Sequence, residues 1–260
     1  MRNFMIDIDR CQRFFNEEIE PGDIRIWRCS NENLYDVLST TNAKNKDVLT
    51  VLSSSDQLFH FLNRDPKSID TFDINNLTFY YYYLRKWLIC YLGYYYPPRK
   101  MSVSFIKYIL KIVNPSNIEE KSAYYFWKKF SNKFSSIELG YLFYFFDTYH
   151  DEILDLDHLK NKLSYEKINF YNLDLTTKVN LKKKYDIIYT SNIIDYVPDD
   201  RLRVFRDNLD LLSKDDGIFI TTLMNSGKLS KEIMVLFNEL FKLDGVRNTT
   251  EAISYVFKKK

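Results

Sequence analysis

The chain has 260 residues, and its 45% hydrophobic and 28% charged side chains are typical of a folded globular protein rather than a disordered one. Its 37 basic and 35 acidic residues leave a formal net charge of +2, so no nucleic acid partner is expected. The cysteines are 3 in number, widely spaced and without a Cys-x-x-Cys pair, which indicates a reducing cytoplasm and excludes a zinc ribbon or a disulfide framework.

Apolar stretches long enough for targeting or membrane insertion are missing from the sequence pattern. Charges interrupt the N-terminal stretch MRNFMIDIDRCQRFF, and Arg85 and Lys86 interrupt the most apolar long window, residues 79–96. We therefore expect no signal peptide, no transmembrane segment and a cytoplasmic location, while peripheral contact with a membrane stays open.

Residues 47–75, DVLTVLSSSDQLFHFLNRDPKSIDTFDIN, have the pattern of a strand, a turn, a helix and a second strand. The first apolar run ends in three serines, and Asp73 closes the second strand 20 positions after Ser53. An acid at that distance is where doubly wound folds place the side chain that binds ribose hydroxyls. The segment therefore indicates the nucleotide-binding half of a Rossmann-like fold.

The turn between the first strand and the helix lacks the glycines that let a backbone approach a pyrophosphate. Asp56 adds a negative charge there, which disfavours a diphosphate and suits a ligand with an amine and a sulfonium. S-adenosylmethionine is such a ligand. The alternative is that Ser-Ser-Ser-Asp only caps the helix, because Ser and Asp are preferred at that position.

Residues 77–160 are predicted to be a helical insertion between the second and third strands of a single domain spanning residues 1–260. Two capping boxes are predicted in it, Ser116 with Glu119 and Ser135 with Glu138. An insertion at this point lies above the carboxyl ends of the strands, so it is either a lid or acceptor pocket, or a helical layer packed on the sheet. Its many aromatic residues suit a small-molecule or lipid acceptor, or a plain core.

Short apolar or β-branched runs alternate with helical patterns over the rest of the chain. This alternation predicts an α/β fold with a mostly parallel sheet and helices on both faces. A helix is predicted over residues 199–212, where Leu202, Phe205 and Leu209 recur at helical spacing. The six predicted strands are residues 48–52, 68–74, 168–173, 185–191, 217–224 and 253–257.

Two stretches, LTVLSSSDQLFHFLNRDPKSIDTFDIN and YDIIYTSNIIDYVPDDRL, resemble the class I S-adenosylmethionine-dependent methyltransferase superfamily. Within it the chain is most similar to the branch of the betaine-lipid S-adenosylmethionine:diacylglycerol 3-amino-3-carboxypropyltransferase. That branch has a Ser-x-Gly-Asp turn, an Asp-x-Asn at the second strand end and a long helical insertion. Here the turn runs from Ser53 to Asp56 with serine in place of glycine, and the second motif stands as Asp73-Ile74-Asn75. IRIWRCSNENLYDVLS, residues 24–39, resembles the family's segment before the first strand.

The resemblance implies S-adenosylmethionine as cosubstrate. It assigns Ser53 and Asp56 to the methionine portion, Asp73 to the ribose hydroxyls and Asp174 to the adenine. It also places the end of the fourth strand at the ligand-facing edge of the sheet. The predicted cosubstrate-binding residues are thus Ser53, Ser54, Asp56, Asp73, Asn75, Asp174, Ser191 and Asn192.

Asp195 and Tyr196 follow the fourth strand and are the predicted catalytic residues, with His60 as a further candidate for a base. Against a catalytic role, Ser-Asn is a common turn pair and Asp195 can simply precede a helix. The histidines match no zinc spacing, so no metal is expected. The branch favours aminocarboxypropyl transfer to an unknown acceptor. Ordinary methyl transfer and a non-catalytic nucleoside-binding or scaffold protein are the alternatives.

Overall fold

A computed structural model of the chain describes residues 26–27, 29–30, 32–39, 41–98, 101–136, 139, 143–144, 154–224, 229–248 and 252–260. The chain divides into two compact units. The sheet unit comprises Glu32–Val51, Gln57–Ile74 and Lys167–Lys260, and the helical unit comprises Met1–Asn31, Leu52–Asp56 and Asn75–Glu166. Each unit is described by itself below.

The sheet unit contains a seven-stranded sheet in the described part of the chain. Its strands are β1 (Asp47–Val51), β2 (Ser68–Asp73), β3 (Asn169–Asn172), β4 (Tyr185–Tyr189), β5 (Ser213–Leu223), β6 (Phe241–Asn248) and β7 (Ile253–Lys259). Described helices of the chain are α1 (Leu34–Leu38), α2 (Asp56–Leu62), α3 (Leu77–Trp87), α4 (Val103–Ile112), α5 (Ile118–Lys133), α6 (Leu156–Tyr165), α7 (Leu202–Leu212) and α8 (Lys231–Asn238). Not one of them is both long and apolar enough to cross a membrane.

The strand order is β3-β2-β1-β4-β5-β7-β6. Strands β1 to β5 pair in parallel, and β7 is antiparallel to both β5 and β6. The chain moves outward from β1 to β3 on one side and then returns to place β4 on the other side of β1. The two neighbouring strands β1 and β4 therefore form the topological switch point, outside whose carboxyl ends open α/β sheets bind ligands.

Helices cover both faces of this sheet. Phe219 of β5 packs against Phe205 of α7 and Phe237 of α8, with ring centroids 6.4 Å and 5.7 Å away. Tyr189 of β4 contacts Phe61 of α2 at 6.0 Å, and the register places it beside Ile220, on the opposite face from Phe219. Successive strand residues face opposite sides, so the predicted α/β fold with helices on both faces is confirmed.

The polar edge strand β6 was not predicted, and β5 begins four residues earlier than predicted. Along FKLDGVRN, exposed positions such as Lys242 and Asp244 alternate with less exposed ones, because only one face of the strand is covered. Between Ser213 and Ile218 the pairing with β4 is irregular, and Asp216 has a φ of +62°. The four added residues are therefore a bulged start of the strand.

The helical unit builds its own aromatic core. The side chains of Tyr80 to Tyr83 in α3 are at most 5% exposed. Tyr80 stacks on Phe126 of α5 at 4.1 Å, and its carbonyl accepts a hydrogen bond from Trp127 Nε1 at 2.8 Å. These buried aromatic residues of α3 fill the core of the unit.

The capping box of α5 lies one residue later than predicted. The Asn117 side chain accepts a hydrogen bond from the Glu120 N–H at 2.8 Å, while Glu120 accepts from the Ser116 N–H at 2.9 Å. Asn117 rather than Ser116 is therefore the N-cap, with Glu120 rather than Glu119 reaching back. The box predicted at Ser135 includes Glu138, which lies outside the described residues.

Candidate active site

In the sheet unit, the predicted site residues lie at the carboxyl ends of the parallel strands. Asp73 is the last residue of β2, and Asp174 follows β3 by two positions. Ser191 and Asn192 follow β4. Asp195 and Tyr196 lie in the 3₁₀ turn Ile193–Tyr196. One edge of the sheet thus carries six of the predicted residues, beside the switch point.

The two acidic residues after β2 and β3 lie in hydrogen-bonded loops. The Asp73 carbonyl accepts from the Leu173 N–H at 3.1 Å and from Asn172 Nδ2 at 3.2 Å. The Asp174 carboxylate accepts from the N–H and the hydroxyl of Thr176 at 2.8 and 2.7 Å. The bonds to the Asp73 carbonyl join the ends of β2 and β3, and the bonds from Thr176 fix the direction of the Asp174 carboxylate.

The turn after β4 has an unusual backbone at Ser191, whose φ of +54° lies in the left-handed region. Its carbonyl accepts from the Thr222 N–H at 2.8 Å and from the Thr221 hydroxyl at 3.0 Å. Non-glycine residues adopt this backbone at a cost of about 1–3 kcal/mol and persist there when their surroundings hold them. Strand β5 thus fixes the turn from one side.

The catalytic candidates differ in exposure. Asp195 is half-buried and its Oδ2 accepts from the Met224 N–H at 2.8 Å, whereas the Tyr196 side chain is 63% exposed. His60 is completely buried within α2. Tyr196 is therefore the candidate side chain most accessible to an acceptor.

Glu32 is a buried carboxyl at the same edge that the sequence did not single out. Its Oε2 accepts from the Tyr189 hydroxyl at 2.6 Å and its Oε1 from the Ser191 hydroxyl at 2.8 Å. Burial raises the pKa of Glu32, and hydrogen bonds from Tyr189 and Ser191 only partly oppose that effect. Glu32 lies within residues 24–39, which resemble the family's segment before the first strand. This resemblance was the one sequence feature that could have pointed to Glu32 as a site residue.

The serine turn belongs to the helical unit, together with Asn75. Ser53 and Ser55 have φ values of +44° and +77°. The Ser55 N–H donates to the Leu52 carbonyl at 2.6 Å. Ser55 stands where the resembling branch has glycine, and its backbone has the conformation that glycine adopts without a steric penalty.

Asp56 in this turn forms a fully buried ion pair with Arg85 of α3. Its Oδ1 lies 2.7 Å from Arg85 Nη2, while its Oδ2 accepts from the Ser30 N–H at 2.6 Å and from the Ser54 hydroxyl at 2.8 Å. Arg85 also donates to the Ser54 carbonyl and to the Tyr95 carbonyl, both at 2.9 Å. The Arg85 guanidinium thus binds both a backbone carbonyl and the carboxylate of this turn.

Charge and burial act in opposite directions on this pair. Burial alone would raise the pKa of Asp56, but Arg85, the Ser30 N–H and the Ser54 hydroxyl together hold that pKa below its usual value. Burial would lower the pKa of Arg85, and the attraction of Asp56 raises it instead. Both groups are therefore charged at neutral pH.

Comparison with known proteins rests on structure, because no family model and no curated protein matches the chain. A structure from work on converting a disulfide bond into a thioacetal group in echinomycin biosynthesis has a TM-score of 0.50 at 9% identity, over 97% of this chain and 92% of that one. The TehB-like S-adenosylmethionine-dependent methyltransferase of Corynebacterium glutamicum gives 0.49 at 7%, over 98% and 100%. The N-methyltransferase NodS of Bradyrhizobium japonicum with S-adenosyl-L-homocysteine gives 0.47 at 8%, over 96% and 98%.

The chain has the Rossmann-like methyltransferase fold. At such identities the likeness concerns the fold alone. Asp73 and Ser191 follow parallel strands at the carboxyl edge of the sheet, beside the switch point where open α/β sheets bind ligands.

Several polar atoms near the predicted residues are buried without a hydrogen-bond partner in the described part of the chain. They include the Ser55 hydroxyl and both amide atoms of Asn76, the residue after Asn75. Leaving such a group unsatisfied costs about 1–3 kcal/mol, and a polar ligand removes that penalty. Both residues lie in the helical unit, and both are buried.

Replacing Ser55 by glycine is expected to raise the free energy of unfolding by about 1 kcal/mol, because it removes the left-handed strain and a buried hydroxyl without a partner among the described residues. Chemical denaturation of the wild type and the variant measures the change. Ser54→Gly is the matched control, since the Ser54 hydroxyl donates to Asp56 and its loss should destabilise the protein. A Ser55→Gly protein less stable than the wild type would contradict this account.

Proposed function

We propose that the chain is an S-adenosylmethionine-dependent transferase. The observation that carries the proposal is the row of polar residues at the carboxyl edge of the sheet, which begins with Asp73 at the end of β2 and continues past the switch point to Ser191. A carboxylate at the second strand end suits ribose hydroxyls, and no glycine-rich loop is present for a diphosphate.

We propose the following roles for the residues that the resemblance assigns to the cosubstrate. Asp73 accepts hydrogen bonds from the ribose, Asp174 contacts the adenine, and Asn75 lines the nucleoside side. Ser191 and Asn192 border the site after β4. In the helical unit, we assign Ser53 and Ser54 to the methionine portion. The Asp56 carboxylate holds that turn, because it is already bound by Arg85, Ser30 and Ser54.

S-adenosylmethionine, when bound, supplies an electrophilic carbon next to its sulfonium. The protein's part is to align an acceptor with that carbon, exclude water and receive a proton. We assign proton acceptance to Asp195 and contact with the acceptor to exposed Tyr196. The acceptor is a small molecule or a lipid, and the cytoplasm is the expected location.

The resemblance to the betaine-lipid branch favours transfer of the 3-amino-3-carboxypropyl group over transfer of the methyl group. In the first case the acceptor attacks the γ-carbon of the methionine chain, the bond from that carbon to sulfur breaks, and methylthioadenosine leaves. Ordinary methyl transfer uses the same site and leaves S-adenosylhomocysteine. The nucleoside product therefore distinguishes the two reactions.

The wild-type chain is expected to bind S-adenosylmethionine saturably, with one site per chain, in a calorimetric titration. Turnover with diacylglycerol vesicles and with a set of small amines, followed by chromatography of the nucleosides, is expected to give methylthioadenosine. Adenosine diphosphate serves as the control ligand and should not bind. Absence of S-adenosylmethionine binding would refute the proposed function, and S-adenosylhomocysteine as the product would refute aminocarboxypropyl transfer alone.

A further inference from the structure

Glu32 has no exposed surface and joins two strand-end side chains that are far away in the sequence. Its two carboxyl oxygens accept from the hydroxyls of Tyr189 and Ser191, which lie 157 and 159 residues further along the chain. Thr222 and Gln57 also form hydrogen bonds with it. All these residues belong to the sheet unit.

Burying a carboxyl group costs free energy, because the group loses its hydration and each of its oxygens needs a hydrogen-bond donor. An apolar side chain of similar size would avoid that penalty. What a carboxyl adds is geometry, since two oxygens can hold two hydroxyls at fixed positions at once. The observed distances of 2.6 and 2.8 Å show that Glu32 does this.

Ser191 is the partner whose backbone needs support. Its left-handed conformation is held by strand β5 through its carbonyl, and Glu32 holds its hydroxyl. Asn192, the next residue, is half-buried and starts the 3₁₀ turn that carries Asp195 and Tyr196. The direction of this whole segment therefore depends on how Ser191 is held.

We propose that Glu32 is a positioning residue that fixes the Ser191–Asn192 turn in the shape that binds S-adenosylmethionine. The inference rests on the proposed function and adds to it a residue from before the first strand of the sheet. Tyr189 offers an internal comparison, because it is bound by the same carboxyl but lies within β4 rather than in the turn.

Methionine has a similar length to glutamate but no acceptor oxygen. Glu32→Met is therefore expected to weaken S-adenosylmethionine binding about tenfold, the effect of losing one hydrogen bond of ordinary strength. Ser191→Ala should weaken it by a similar factor, and the double variant should bind no more weakly than either single variant, since both remove the same contact. Glu32→Gln retains an oxygen acceptor and should restore most of the affinity. Calorimetric titration gives the dissociation constants, and denaturation gives the stability of each protein.

Tyr189→Phe is the matched control, since it removes the other hydroxyl bound by Glu32 and should lower stability without changing the affinity. Equal affinity in Glu32→Met and the wild type, or additive losses in the double variant, would overturn the positioning role while leaving the proposed function intact. Absence of binding by the wild type would overturn both. If Glu32→Met does not fold, Glu32→Asp, which withdraws the carboxyl by one methylene, takes its place in the same comparison.

Discussion

Replacing Arg85 by methionine is expected to lower the free energy of unfolding by about 3–5 kcal/mol, the usual effect of breaking a buried ion pair from one side. Arg85 is completely buried, and it binds the Asp56 carboxylate as well as the carbonyls of Ser54 and Tyr95. Its removal leaves a buried carboxylate without its counter-charge, and leaves two carbonyls without their donor. Equilibrium denaturation in urea at pH 7 measures the loss.

The control for this prediction is Lys258→Met, which removes an ion pair of similar length between exposed groups. Lys258 lies 3.0 Å from Asp216, and the two side chains are 45% and 83% exposed. Exposed pairs contribute about 0–1 kcal/mol, so this variant should remain close to the wild type. A loss in Arg85→Met no larger than that in Lys258→Met would show that the buried pair does not hold the fold.

Lowering the pH from 7 to 5 is expected to reduce the difference in stability between the wild type and Arg85→Met. In the wild type the pKa of Asp56 is lowered, so its contribution is complete above the unfolded value of about 3.9 and is lost only at more acidic pH. In the variant, burial without Arg85 raises that pKa, and the folded state gains stability by taking up a proton. Titration of both stabilities between these pH values tests the sign.

Asp73→Ala is expected to weaken S-adenosylmethionine binding by about 10- to 100-fold, because hydrogen bonds to a charged group contribute about 1.5–3 kcal/mol. Asp73 is half-buried at the last position of β2, and its backbone is held by Leu173 and Asn172. The truncation therefore removes the carboxylate and keeps both hydrogen bonds of the Asp73 carbonyl. Calorimetric titration of wild type and variant gives the ratio of dissociation constants.

Asp244→Ala is the matched control, because Asp244 is an exposed aspartate in β6 at the far edge of the sheet order. It should bind with the affinity of the wild type. Unchanged binding by Asp73→Ala, or an equal loss in both variants, would refute the assignment of Asp73 to the ribose.

The sequence predicted best those strands that are buried on both faces, because burial produces a clear hydrophobic pattern. Strands β1 and β4 are predicted because they are apolar runs, and they are apolar because both faces of the sheet are covered. Strand β6 was missed for the opposite reason, since an edge strand with one covered face has little hydrophobic signal. The N-cap of α5 was missed by one residue because Ser116 and Asn117 are both good caps, and only their geometry distinguishes them.

Some residues of the candidate site were predicted from the sequence, and others became apparent only in the folded chain. Asp73 was predicted from its spacing to the first turn, which is a local property of the chain. Arg85 was interpreted only as a charge that interrupts an apolar window, and Glu32 was not singled out. Their partners lie 29 and 159 residues away, so only the folded chain shows that both are buried and bonded.

The position of β7 between β5 and β6 has a consequence for how the sheet is completed. Strand β6 precedes β7 in the chain, yet its ladder pairing in the described structure is with β7. Until β7 docks, β5 presents an open edge of backbone donors and acceptors. Such an open edge can pair with another chain, so the docking of β7 removes a site of self-association. Charged side chains at Lys242 and Asp244 make the β6 edge of the completed sheet unattractive for such pairing.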